Sequence, residues 1–147
     1  SYTARLDASG RIKIPEKFRE VIEQVYGKDL FVTSLSDDSI KIYPLSVWLS
    51  MTDLTAEGAL HLRPDVRKFM LRVNRHGSRH ELDSKGRVLI SQALREKAKL
   101  RDEVEVLGLS NHLEIWNKDV LDGTLEEKPL SDEDFESIAR LIPRGKP

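Results

Sequence analysis

The sequence predicts an α+β, mainly β fold in which two copies of one supersecondary unit are joined in a single chain. Residues 6–20 return at residues 82–96, 76 positions later, and seven of the 15 aligned residues are identical. A second motif, in which an apolar-charged-apolar triplet ends in an aromatic residue, occurs at 40–43 and again at 113–116. Each half has only about 60 residues, a size at which a lone hydrophobic core is marginal, so we expect the copies to share one core.

Each copy opens with a tight turn followed by a strand. Gly10 and Gly86 stand where such a turn needs a positive φ, and the carboxylates of Asp7 and Asp83 can accept backbone N–H bonds across it. Apolar and basic residues then alternate over 11–14, which predicts a strand with one buried face. We therefore interpret Asp7, Gly10, Asp83 and Gly86 as structural residues of the two turns.

A short helix is predicted after each of these strands. In the first copy Pro15 suits the first helical position. The apolar stripe of this helix comprises Phe18, Val21, Ile22 and Val25. In the second copy Ser91 is the predicted N-cap. Further strands are predicted at 30–32 and 104–107, so both copies have the same order of elements.

The rest of the chain supplies connecting and terminal helices. A short helix is predicted at 44–49 and a basic one at 64–73. The last helix starts at Ser131, where Asp134 completes a capping-box pattern, and Pro143 ends it. The chain then divides into repeat 1 at 1–50, a basic helical connector at 51–79, repeat 2 at 80–122 and a C-terminal helical extension at 123–147. The terminal helix could pack against its own chain or against a neighbouring subunit, and the sequence does not decide between these arrangements.

Charge is distributed unevenly along the chain. The net charge is −1, but residues 63–101 hold twelve Lys/Arg against four Asp/Glu, whereas residues 102–147 hold five against twelve. Such a basic segment is typical of a nucleic-acid contact or of a solvated helix face. Cysteine is absent, which excludes disulfides and thiolate zinc sites, and no apolar run reaches membrane-spanning length. We expect a cytoplasmic protein that does not enter membranes.

The two repeated segments resemble the signature of the AbrB-type swapped-hairpin DNA-binding domain. Two such copies, each closed by an Ile-(Tyr/Trp) strand, are similar to the MraZ family of bacterial transcriptional regulators, and the resemblance covers residues 3–121. It implies a duplicated AbrB-like swapped-hairpin double-barrel that forms a ring-shaped homo-oligomer. It also implies binding to repeated elements of double-stranded DNA in the protein's own promoter region, in the division and cell-wall gene cluster, and association with the nucleoid.

The resemblance also suggests where DNA is contacted. The family's Asp-x-x-x-Arg hallmark, which is associated with DNA binding, falls here on Asp7/Arg11 and Asp83/Arg87. Arginine presents a planar fork that fits guanine or phosphate, although a structural ion pair with the neighbouring aspartate is the alternative. We expect the DNA-contacting residues to be Arg5, Arg11, Lys13, Arg19, Arg79, Lys85, Arg87 and Arg95. Most of these would position the duplex and few would read bases.

The sequence departs from the family's pattern at two positions. Ser91 stands where the family usually has proline, which removes rigidity at a helix start. Ser9 stands in place of the usual lysine beside Gly10, which removes one positive charge from the first turn. The two copies are therefore expected to contribute unequally to DNA contact.

An enzyme is not expected. The histidines form no ligand motif, since Gly77 and Ser78 predict a turn between His76 and His80, and neither a Gly-rich phosphate loop nor a Ser/His/Asp arrangement occurs. We expect no cofactor, no bound metal and no small-molecule substrate. Two alternatives to the regulator stay open: an antitoxin-like protein-interaction module with a disordered partner-binding tail, and a nucleoid scaffold without a specific DNA site.

Overall fold

The structure is a computed structural model that describes residues 1–53 and 62–142. Its strands are β1 Tyr2–Arg5, β2 Arg11–Lys13, β3 Asp29–Thr33, β4 Ser39–Pro44, β5 Ser78–Glu81, β6 Arg87–Leu89, β7 Glu103–Gly108 and β8 Leu113–Trp116. Its helices are α1 Glu16–Tyr26, α2 Leu45–Met51, α3 Pro64–Arg75, α4 Gln92–Lys97, α5 Lys118–Glu127 and α6 Asp132–Leu141. Repeat 1 supplies β1 to β4 with α1, and repeat 2 supplies β5 to β8 with α4.

The two repeats are interleaved strand by strand. A six-stranded sheet has the order β1-β7-β8-β4-β3-β5, and β2 pairs with β6 in a separate two-stranded ribbon. The pairs β3–β4 and β7–β8 join strands of one repeat, whereas β1–β7, β3–β5, β4–β8 and β2–β6 join strands of different repeats. All of these pairs are antiparallel. Each repeat completes the sheet of the other, which confirms the predicted α+β, mainly β fold built from swapped hairpins.

The interleaving follows an approximate two-fold axis. In the β4–β8 pair Lys41 faces Glu114, and these two positions are equivalent in the aligned repeats. In the ribbon Ile12 likewise faces its own equivalent, Val88. Equivalent residues meet each other where a two-fold axis passes between two strands, so the duplicated chain is organised like a dimer of its own halves.

One hydrophobic core lies between the repeats, as expected for two units too small to fold alone. Repeat 1 contributes Ile12, Ile14, Leu30, Val32, Ile40 and Ile42 to it. Repeat 2 contributes Val88, Ile90, Leu94, Ala98, Val104, Val106, Leu113 and Ile115. The alternation predicted over 11–14 is confirmed, because Ile12 and Ile14 are buried while Lys13 is exposed.

A smaller cluster holds the connecting helices against the sheet. Tyr43 from β4, Trp48 from α2 and Val73 from α3 are all buried in it. The hydroxyl of Thr33 donates to the backbone carbonyl of Val73 at 2.6 Å, which fastens α3 to β3. The predicted helices at 44–49 and 64–73 are therefore confirmed, with small changes at their ends.

The helix starts agree with the predicted caps with one difference. Ser91 caps α4 by accepting from the Leu94 N–H at 3.3 Å, and Ser131 and Asp134 form the capping box of α6. Pro15 precedes α1 rather than opening it, because its ψ of 143° is extended and the helix starts at Glu16. The predicted stop at Pro143 lies outside the described residues.

Helix α5 was not predicted from the sequence. Asn117 caps it by accepting from the Asp119 and Val120 N–H groups, and Leu121 is its buried residue. Gly123 in its middle and a single buried position hide the helical period, so no apolar stripe marks this segment in the sequence.

Candidate nucleic-acid interface

The β2–β6 ribbon carries basic side chains on its outward face. Ile12 and Val88 on the inner face are 0 % exposed, so their neighbours in each strand point away from the core. Arg11 pairs with Leu89 and Lys13 with Arg87 across the ribbon. Three of the four outward positions are therefore basic. We call Arg11, Lys13 and Arg87 the basic ribbon.

The first turn holds Arg11 at one end of the ribbon. The Asp7 carboxylate accepts the N–H groups of Ser9 and Arg11, both at 2.9 Å, and the Ser9 hydroxyl at 2.7 Å. These bonds, led by the Arg11 N–H, hold the pKa of Asp7 below its ordinary value of 3.8. Gly10 closes the turn with a φ of 84°, which favours glycine.

The second turn repeats this arrangement with the equivalent residues. Asp83 accepts the N–H of Lys85 at 2.9 Å and that of Arg87 at 2.8 Å, and Gly86 has a φ of 75°. The Arg87 N–H is the largest of the causes that lower the pKa of Asp83. Both carboxylates thus stay ionised while they bind the turn backbone, which is the geometry expected of structural turn residues.

Arg11 and Arg87 differ in how their guanidinium groups are held. Arg87 donates through Nε to Asp83 at 2.9 Å and lies 3.3 Å from Asp7 of the other repeat. The Arg11 guanidinium donates to the Ser9 hydroxyl at 3.1 Å. The carboxylates of Asp83 and Asp7 compensate the positive charge of Arg87. The Ser9 hydroxyl is neutral and does not compensate the positive charge of Arg11. The Asp7–Arg87 link was missed from the sequence, because only the strand swap brings these positions together.

Arg19 and Arg95 lie against the turn glycines of the opposite repeats. The space beside Gly86 is filled by the Arg19 guanidinium, and the space beside Gly10 by that of Arg95. Arg95 also donates to the backbone carbonyl of Ile90 at 3.1 Å. The structure therefore places both side chains behind the turns as supports, and a DNA contact by either one stays a prediction.

The other predicted contact residues, Arg5, Arg79 and Lys85, lie outside the ribbon. Arg5 ends β1 and is exposed, and Lys85 is exposed in the second turn. Arg79 in β5 forms an ion pair with Asp29 at 2.9 Å, which reduces the charge it can offer to a ligand. Of these three residues, Arg79 therefore has the least charge to offer to DNA.

A second charged cluster lies in the six-stranded sheet at the two-fold axis. Lys41, only 9 % exposed, forms an ion pair with Glu114 at 2.9 Å, and His112 and the Trp116 indole also bond Glu114. Burial raises the pKa of Glu114, but bonds from His112, Lys41 and Trp116 together outweigh this effect and leave the pKa lowered. The cluster has the character of a structural network.

Outside the ribbon and the Glu114 cluster, the described residues 1–53 and 62–142 offer few side chains arranged to bind a metal or to catalyse a reaction. Within these ranges no group of three or more His, Cys, Asp or Glu side chains is placed to hold a metal ion. His80 forms a hydrogen bond with the Ser78 hydroxyl at 2.6 Å, and burial lowers the pKa of His80. No helix in the described part of the chain is long and apolar enough to cross a membrane.

The swapped hairpins, the two Asp-anchored turns and the basic ribbon define a duplicated swapped-hairpin protein in which both halves occur in one chain. Comparisons with known proteins identify its family. The family described as "MraZ protein, putative antitoxin-like" matches residues 74–140. Among curated relatives, the transcriptional regulator MraZ of Acidobacterium capsulatum is 34 % identical over 141 residues, which cover 96 % of each chain.

Two further relatives carry the same name. The transcriptional regulator MraZ of Syntrophobacter fumaroxidans is 35 % identical over 138 residues, 94 % of this chain and 89 % of that protein. The one from Finegoldia magna is 32 % identical over 134 residues, 91 % and 90 % respectively. The chain belongs to the MraZ family.

Proposed function

We propose that the chain is a sequence-specific DNA-binding transcriptional regulator of the bacterial division and cell-wall gene cluster, and not an enzyme. The observation that carries this proposal is the basic ribbon, whose outward arginines and lysine stand on a fully buried inner face. The names of the relatives support the regulatory role. Association with the nucleoid would follow from binding to chromosomal DNA.

The three residues of the basic ribbon would make different kinds of contact with DNA. Arg11, whose guanidinium is held by a hydroxyl, can turn its fork towards a guanine edge or a phosphate. Lys13 would act as a point charge on the backbone. Arg87 is held by Asp83 and Asp7 and would present a fixed guanidinium. Arg5 and Lys85 would add phosphate contacts at the sides.

A single ribbon with a few basic side chains is a small contact surface. We propose that a ring-shaped homo-oligomer presents several ribbons to repeated elements in the promoter of the protein's own gene. Linking several weak contacts raises the overall affinity by about 10²–10⁴ without any new contact, provided that their spacing fits the DNA.

The test compares binding to DNA from upstream of the protein's own gene with binding to scrambled DNA over a salt series. We expect preference for the upstream DNA, and we expect Arg11→Ala with Arg87→Ala to abolish it. Removing one phosphate contact should flatten the log–log salt slope by roughly 0.9 per contacting copy. The control, Lys28→Ala with Arg63→Ala, removes two exposed charges outside the ribbon and should bind like wild type. No preference for upstream DNA in the wild type would overturn the proposal.

An antitoxin-like interaction module is the second candidate function. The wording of the family description favours it, whereas α6, a capped helix, stands where a disordered partner-binding tail was expected for such a module. In that case a small toxin would co-purify with the protein and would be absent after truncation before Ser131. Tight binding to upstream and scrambled DNA alike would instead favour a nucleoid scaffold without a specific site.

A further inference from the structure

Helix α6 presents an apolar stripe that the described chain leaves uncovered. Phe135, Ile138 and Ile142 recur about one helical turn apart, with exposed fractions of 57, 42 and 62 %. All ten residues of α6 are exposed, in contrast to α5 before it, which buries Leu121. An isolated helix of this length is marginal in water even with good caps, so packing of the stripe against another surface would stabilise it.

Helix α6 is also strongly acidic. Its ten residues include Asp132, Glu133, Asp134 and Glu136 but only one basic residue, Arg140, so its net charge is −3. On a helical projection Asp132 and Glu136 lie on one side of the apolar stripe and Asp134 on the other. A surface that accepts this helix should therefore be apolar in its centre and basic at its edges.

Helix α3 has this character on its outward face. Its twelve residues include four basic ones and one acidic one, which gives a net charge of +3. Met70 and the 58 % exposed Leu71 lie between Arg67 and Arg75 and line a shallow cleft with Asn74. The spacing from 67 to 71 to 75 places these residues on one face of the helix.

The other face of α3 is already engaged with its own chain. Val73 is buried, and Arg72 donates to the Leu35 carbonyl at 3.1 Å and to the Asp37 carboxylate at 2.8 Å. The helix is thus fixed on the sheet, and Arg67, Leu71 and Arg75 project from a rigid base. Fixed side chains lose less conformational entropy when a partner binds.

We propose that α6 of one copy packs against the outward face of α3 in a second copy of this chain. The stripe of Phe135 and Ile138 would cover Met70 and Leu71, while Asp132 and Glu136 would face Arg67 and Arg75. Within one chain the structure leaves both surfaces exposed, and the acidic side chains of α6 complement the basic Arg67 and Arg75 on the outward face of α3. The inference rests on the proposed oligomer and supplies its contact surfaces.

This contact joins two different surfaces, and it is heterologous when each copy binds one neighbour through α3 and another through α6. Each added copy offers a free α3 at one end and a free α6 at the other, so the arrangement ends only when the copies close into a ring. The basic ribbon takes no part in the contact and stays available for DNA.

The test measures the molar mass of the full chain by light scattering after size exclusion, in the absence of DNA. We expect an oligomer for the wild type and monomers for Arg67→Glu with Arg75→Glu and for Asp132→Arg with Glu136→Arg. Mixing the two variants should restore oligomers, because reversed α6 then meets reversed α3 and the unchanged surfaces meet each other in alternation.

A second pair of variants tests the apolar stripe. Ile138→Asp should give monomers, whereas Ser137→Asp places the same charge outside the apolar stripe of α6 and should leave the mass unchanged. Circular dichroism and thermal unfolding would show that each variant keeps its fold.

Three results would overturn the inference: a monomeric wild type, reversal variants that keep the wild-type mass, or a mixture that stays monomeric. Oligomers that assemble as expected but show no preference for upstream DNA would refute the proposed regulator and leave this contact intact. If the monomeric variants still bind a single DNA element, the loss of oligomers is due to the α6–α3 contact and not to damage to the basic ribbon.

Discussion

At the scale of single residues, each turn glycine meets two demands at once. Gly10 has a positive φ, and a Cβ there would lie 2.8 Å from Cζ of Arg95 in the opposite repeat. Gly86 stands in the same relation to Arg19. The turn requirement was predictable from the sequence, but the arginine supports were not, because they depend on the strand swap. The predicted site residues therefore divide into an outward set and a supporting set that the sequence alone did not separate.

Gly10→Ala should destabilise the protein. The left-handed conformation costs a non-glycine residue about 1–2 kcal/mol, and displacement of the Arg95 guanidinium adds to this cost. The free energy of unfolding in urea measures the effect. Gly123→Ala is the matched control, because Gly123 lies in α5 with open space around it, and alanine should stabilise the helix by about 0.5–1 kcal/mol. Equal stability of the two variants would contradict this account of the turn.

Ser9 marks a difference between the repeats that can be reversed. Ser9→Lys should make the first turn resemble the second, where Lys85 stands at the equivalent position. We expect tighter DNA binding and a salt slope steeper by roughly 0.9 per contacting copy. Gln24→Lys adds the same charge in the last turn of α1, away from the ribbon, and should have little effect. Equal gains in both variants would indicate a nonspecific charge effect.

At the scale of elements, the β4–β8 pair depends on an ion pair with little exposure. Glu114→Gln would leave the Lys41 charge without its partner, and breaking such a pair costs about 3 kcal/mol. Because the pKa of Glu114 is lowered in the folded protein, its contribution is complete above the ordinary value of 4.5 and is lost as the pH falls through the lowered pKa. Urea unfolding of the wild type and of Glu114→Gln, from neutral pH to below the ordinary value of 4.5, measures the difference in their free energies of unfolding.

The pH dependence provides the internal control for this prediction. Other acids with lowered pKa values, such as Asp37 and Asp83, are present in both proteins and should cancel in the comparison. A difference in unfolding free energy that stays constant from neutral to acid pH would show that Glu114 acts through packing and not through its charge.

Helices differed in how well the sequence predicted them. Helix α3 has a regular apolar stripe ending in the buried Val73, and α6 has a capping box at Ser131, so both were found. Helix α5 buries only Leu121 and was missed. Local signals identify helices whose stripes are long, whereas a helix fixed by one buried residue depends on tertiary packing that the sequence does not display.

At the scale of the whole molecule, neither repeat should fold alone. Residues 1–53 and 77–127, prepared separately, would each lack the four strand pairs that join the repeats. We expect each fragment to lack cooperative unfolding, and an equimolar mixture to form one folded complex. Amide chemical-shift dispersion and thermal unfolding of the fragments and the mixture would test this. Cooperative unfolding of a monomeric fragment would contradict the expectation.

The charge pair on the two-fold axis also bears on which halves pair with each other. If repeat 1 paired with a second repeat 1, Lys41 would meet Lys41 at that buried position, and two copies of repeat 2 would bring Glu114 against Glu114. Pairing of either half with a copy of itself would therefore place two like charges directly opposite each other, which destabilises a strand pair. The mixed pair of Lys41 and Glu114 thus favours binding of the two halves to each other over binding of either half to itself.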